Sequence, residues 1–173
     1  MGISVSKRVK AGVANSSEFD SACDSAYNQC LSLTQHAFQG VLPNQLPTAS
    51  SLIHTAITTT AHKNNLILKW VPSPPTRTQI DSALRVVQLS NKKDEHEQEV
   101  ILGWPQFKEW AVVLYTEAVV GNAGKAVLTR VPLGAAGIVG IGAVTRSGIN
   151  LVGPAIGVYA LGVATSIYLS LRG

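Results

Sequence analysis

Residues 131–145 read VPLGAAGIVGIGAVT and residues 147–171 read SGINLVGPAIGVYALGVATSIYLSL, two runs of fifteen and twenty-five residues without a charge, parted only by Arg146. A helix crosses a bilayer with about 20 mostly apolar residues, so the second run is long enough. The first spans only about 22 Å as a helix. Extended back through Ala126, Val127, Leu128 and Thr129 it reaches about nineteen residues, with Arg130 snorkelling to the interface. Thr145-Arg146-Ser147-Gly148 suits a tight turn. Residues 125–173 are therefore expected to form a glycine-rich membrane hairpin. The alternative is a tail anchor, one span from about Ile149 to Leu171.

Small residues recur in these runs at intervals of four. Ala136 and Gly140 are one pair, Gly153 and Gly157 form a GxxxG, and Ala160 and Ala164 repeat the spacing. Lipid tails are as apolar as the helices, so close backbone approach at small residues drives helix association there. These rows are expected to pack the hairpin against itself or against a partner's helices. Tyr159 and Tyr168 are expected toward opposite interfaces. The competing reading is a hairpin buried in a soluble bundle, since a helix apolar all round must be covered by something.

Working outward, the charge is segregated along the chain. The 173 residues are 46% hydrophobic and 14% charged, with a net charge of +4 and a mean hydropathy of +0.20. About 25% charged is usual for a soluble domain, and disorder needs low hydrophobicity and high charge. Residues 1–17 carry +3, residues 18–117 carry −3, and residues 118–173 carry +4 with no acid. The positive excess thus belongs to the two ends and not to a basic stripe on the domain. Lipid head groups are its expected partner and nucleic acid is not.

The chain opens Met1-Gly2-Ile3-Ser4-Val5-Ser6-Lys7-Arg8. Glycine at position 2 with a hydroxyl at Ser6 fits the N-myristoylation pattern, and Lys7, Arg8 and Lys10 add attraction to anionic lipid. One acyl chain holds weakly, so a second anchor is expected. The alternative is a targeting peptide for a mitochondrion or plastid, because residues 1–17 are basic, serine-bearing and free of acid. Val5, Val9 and Val13 would line one face of a helix there.

Between this basic arm (residues 1–16) and the tail, residues 17–124 read as a helical domain. Ser17 is the expected N-cap of a helix whose stripe is Phe19, Cys23, Ala26, Cys30, Leu33 and Ala37, with Gly40 as its stop. A second helix is expected from about Ala49 to Lys63 behind a Thr48 cap, weakened by Thr58-Thr59-Thr60. Leu66 to Val71 has no clear period. After the Pro-rich connector 72–75, Thr76 with Gln79 is a capping box opening a helix with Ile80, Leu84 and Val87 inside. Residues 90–99 read as a charged linker. Gly103-Trp104-Pro105 opens a last helix whose face is Phe107, Trp110, Ala111, Leu114 and Ala118. The fold class is all-α: a small amphipathic bundle followed by the hairpin.

No catalytic or metal constellation is legible. Cys23 and Cys30 are seven apart, about 10 Å along a helix, beyond the reach of an intramolecular disulfide. They read as small buried hydrophobes. His36, His54, His62 and His96 show no HExxH, and neither a P-loop nor G-x-S-x-G occurs. Trp104 and Trp110 belong either to the bundle core or to the membrane interface. The expected function is a membrane-anchored, non-enzymatic adaptor, assembly factor or accessory subunit, with its domain facing the cytosol and no cofactor. Its expected partner is a membrane protein or a second copy, met through the C-terminal helices. Two alternatives stand beside it: an organelle-imported accessory subunit, and a small oligomeric pore or carrier whose only polar candidates are Arg146 and Asn150.

Overall fold

A computed structural model describes residues 2–60, 65–91, 101–144 and 149–171. His62, His96, most of the charged linker and the turn at 145–148 with Arg146 lie outside the described residues. The described chain is all-α, with helices α1 (Gly2–Ala14), α2 (Ser17–Leu33), α3 (Leu46–Thr60), α4 (Leu66–Trp70), α5 (Arg77–Asn91), α6 (Trp104–Val144) and α7 (Ile149–Ser170). A single 3₁₀ turn, Pro43–Gln45, leads into α3. Two compact units result, Met1–Val119 and Val120–Arg172.

The first unit is built around one apolar centre. Phe19, Cys23, Ala26 and Cys30 of α2, Ala49, Ile53 and Ile57 of α3, Ile80, Ala83 and Val87 of α5, and Phe107, Trp110, Ala111, Leu114 and Ala118 of α6 are all buried. The expected face of α6 is thus the buried one, and Trp110 belongs to the core. Rings dominate its interior: Tyr27 lies 5.2 Å from Phe107 and 5.3 Å from Trp104, and Phe107 lies 5.4 Å from Trp110. Such pairs add about 0.5–1.5 kcal/mol each beyond area burial. The basic N-terminal arm is not loose. It forms α1, and Val9 and Val13 are buried at 1% and 2% exposure.

Helix ends differ from expectation for local reasons. Ser16, not Ser17, is the N-cap of α2, its hydroxyl accepting from the Phe19 N–H at 3.3 Å. The same helix stops at Leu33, seven residues before Gly40, because Gln35 and His36 adopt φ of 50° and 57°. Leu33 and Ala37 are consequently exposed rather than part of the buried stripe. Helix α3 begins at Leu46, so Thr48 sits inside its first turn and does not cap it. The Thr58-Thr59-Thr60 run stays helical by turning its hydroxyls back onto the Thr55 and Ala56 carbonyls. Thr76 and Gln79 behave as read, with the Gln79 Oε1 accepting from the Thr76 N–H at 2.9 Å. Leu84 is only half-buried, and Ala83 takes the inner position beside Ile80.

Gly40 has a different task from ending a helix. Val41 and Leu102 exchange both backbone hydrogen bonds at 2.9 Å in one antiparallel bridge. A Cβ on Gly40 would collide with the Leu102 carbonyl. Gly40→Ala is expected to destabilise the first unit by about 1–3 kcal/mol, the usual cost of forcing extra atoms into a packed site. A urea unfolding midpoint equal to wild type would count against the close approach.

Polar side chains tie the remaining loops. Gln45 accepts from the Leu42 N–H at 3.1 Å and donates to the Cys30 carbonyl at 2.9 Å, an acceptor in the last turn of α2. Asn65 caps α4 through the Ile67 N–H at 2.9 Å and donates to Glu18 at 2.7 Å. His54 is buried, and its Nε2 donates to the Val71 carbonyl at 3.0 Å.

Candidate functional site

The second unit is an α6–α7 hairpin. Among the described residues two helices are long and apolar enough to cross a membrane, with qualifying stretches at Trp104–Val139 and Val152–Ser170. They differ in what covers them. Half of the qualifying window in α6 is buried, whereas only 6% of that in α7 is. A hairpin buried at the core of a bundle would show little exposed apolar surface on α7. Its large side chains face outward instead: Leu133 is 74% exposed, Val158 72% and Leu161 70%.

The seam within the hairpin is narrow. Val127, Val131, Gly134, Ala135 and Ile138 on α6 and Val152, Ile156, Ala160 and Val163 on α7 are half-buried, and Ile167 is buried. These recur every three or four residues, one face per helix. At its middle the Tyr159 ring lies against Gly134, where a Cβ would collide with it. The Tyr159 hydroxyl donates to the Arg130 carbonyl at 3.2 Å. Tyr159 is therefore a packing residue of the seam and not an interfacial anchor. Pro154 is tolerated six residues into α7, and Pro132 lies inside α6 next to the seam residue Val131.

The small residues singled out in the sequence divide across this seam. Ala160 lies on it, while Ala136, Gly153, Gly157 and Ala164 are exposed on the outer surface. A Cβ on Gly153 or Gly157 would meet nothing within 4 Å. These rows do not pack α6 against α7. Gly140 lies in α6, with its surroundings outside the described side chains. The glycine that does admit a neighbour, Gly134, belongs to none of the rows. Its signal was an aromatic residue twenty-five positions on, which no local spacing reveals.

At the other end, α1 begins at Gly2, and Ser6 is half-buried. Lys7, Arg8 and Lys10 are exposed, opposite the buried Val9 and Val13. The helix is amphipathic as expected, with its apolar side spent on the first unit and its basic side outward.

The first unit holds few chemically active groups. Among the described residues no three of His, Cys, Asp and Glu lie close enough together to hold a metal ion. Burial, then the neighbouring Asp20, pushes the Cys23 thiol up to about 12, and burial alone raises that of Cys30. Both are free thiols, and a thiol kept protonated is a poor nucleophile. The Lys108 ammonium pairs with Asp20 at 2.8 Å, and that hydrogen bond raises the lysine pKa. Trp104 stacks beside Phe107 and Tyr27 and so is part of the ring cluster. Compared with protein-family models, curated proteins and solved structures, the chain matches none.

Proposed function

We propose that this protein is a membrane-anchored, non-enzymatic adaptor, assembly factor or accessory subunit. The α6–α7 hairpin is its integral anchor and an acylated Gly2 its second hold. The observation that carries this reading is the outward face of the hairpin. Large apolar side chains cover both helices there, and no acid occurs in residues 118–173. Contiguous exposed apolar surface marks a membrane or protein interface, and the length matches a bilayer crossing. The first unit has a core of its own, formed by α2, α3, α5 and the first part of α6. Lys125 and Arg130 flank the open end of the hairpin, so the positive-inside rule favours a first unit on the cytosolic side.

The exposed Gly153–Gly157 row offers the flat surface a partner's transmembrane helix would use. Burial of Val9 and Val13 favours a retained N-terminus over a cleaved targeting peptide, since cleavage would strip two residues from the core. Two measurements test the halves of the proposal separately. Wild type should stay in the pellet after carbonate extraction, and its release would refute the integral hairpin. Gly2→Ala should abolish incorporation of an alkyne myristate analogue; equal labelling of the variant would refute acylation at Gly2.

A further inference from the structure

Between the two helices of the hairpin lies a slot of about 290 Å³, lined by Arg130, Tyr159, Gly162, Val163, Ser166 and Ile167. Arg130 is its sole charged wall residue and is exposed. Residues 118–173 contain no Asp or Glu, so no side chain of the hairpin is a counter-ion for this guanidinium. An arginine in an apolar segment is costly unless it is paired or reaches the interface. Arg130 stands fifteen residues before Thr145, which is about 22 Å of helix in a hydrocarbon core of about 30 Å. In a bilayer that distance leaves the Arg130 guanidinium within snorkelling reach of the head groups at the open end of the hairpin.

The remaining walls have the opposite character. Gly162 is exposed, and a Cβ there would meet nothing within 4 Å, so this wall is open. Val163 and Ile167 provide an apolar floor, and the Ser166 hydroxyl lies on the same wall. Tyr159, tied to α6 by its bond to the Arg130 carbonyl, closes the end nearer the turn. A cation at the mouth and an apolar channel behind it are the complement of a lipid with an anionic head. A phosphate diester also accepts two parallel N–H bonds from a guanidinium.

We propose that this slot holds one anionic phospholipid, with its phosphate on the Arg130 guanidinium and an acyl chain along Gly162 and Val163. The assignment rests on the hairpin lying in lipid. It adds a specific site to that general anchoring. The test uses the full chain, reconstituted in phosphatidylcholine vesicles containing a minority of phosphatidylglycerol, extracted in mild detergent and weighed by native mass spectrometry. Wild type should retain one phosphatidylglycerol in preference to phosphatidylcholine by about fivefold or more, the scale of one basic residue at a charged surface. Arg130→Gln should lose the preference and Arg130→Lys keep most of it. Lys125→Gln, outside the slot, should leave it unchanged. Gly162→Leu, which adds a bulky side chain to the slot wall without touching charge, should lose the retained lipid of either class while staying in the carbonate pellet. If Arg130→Gln keeps the preference, or Gly162→Leu still retains lipid, the slot is overturned and the anchor stands. If wild type is itself released by carbonate, the anchor falls first.

Discussion

Replacing Leu161 by arginine is expected to move much of the protein from the membrane pellet to the carbonate supernatant. Leu161 lies near the middle of α7 and is 70% exposed. An arginine at the centre of an inserted helix costs about 2.5–3.5 kcal/mol on insertion scales, about a hundredfold or more in the equilibrium. The same substitution on a water-facing surface falls within about 0.5 kcal/mol. The two environments therefore predict opposite outcomes for one residue. Leu161→Ala serves as the control and should stay in the pellet, because it shortens the side chain without adding charge. A Leu161→Arg protein that pellets like wild type would remove lipid from the surroundings of α7.

Trp110→Ala is expected to cost the first unit about 3–5 kcal/mol, the range for truncating a large buried aromatic. Trp110 has no exposed surface, its ring lies 5.4 Å from that of Phe107, and its Nε1 donates to the Ile80 carbonyl at 3.4 Å. Truncation opens a cavity in the ring cluster and removes the indole hydrogen bond to the Ile80 carbonyl. Domains of this size have about 5–15 kcal/mol in all, so a large part of the margin disappears. Chemical denaturation followed by the fluorescence of Trp70 and Trp104 reports on this unit and not on the second unit, Val120–Arg172, which has no tryptophan. Trp110→Phe, which fills most of the volume, should recover more than half of the loss. A shift below about 1 kcal/mol in the alanine variant would mean that Trp110 does not hold the core together.

What could be read from the sequence was whatever depends on residues three or four apart. The α6 face from Phe107 to Ala118, the Thr76–Gln79 cap, the valine face of α1 and the paired apolar helices are all of this kind. What could not be read depends on residues far apart in the chain. Gly40 looked like a helix stop because glycine usually is one, but it is small for the sake of Leu102, sixty-two residues later. The actual stop at Leu33 uses Gln35 and His36 in the left-handed region, where neither residue type advertises itself. In the hairpin the rows of small residues were visible, but four apart is a spacing every face of a helix can show. Which face turns inward was decided by Tyr159 settling on Gly134. The slot beside Arg130 escaped notice for the same reason, since its walls come from two helices whose register the sequence does not state.

The bridge between Val41 and Leu102 also sets a clock. Neither strand residue has its partner until both stretches of chain have been made, and the inner face of α6 comes later still. A domain emerging from the ribosome folds as a unit once its last essential piece is available. For this chain that piece ends at about Val119, and the hairpin of residues 120–172 is made directly after it. The early helices therefore wait, unfinished, until the chain has been made as far as α6. Completion of the core is followed at once by delivery of the apolar hairpin.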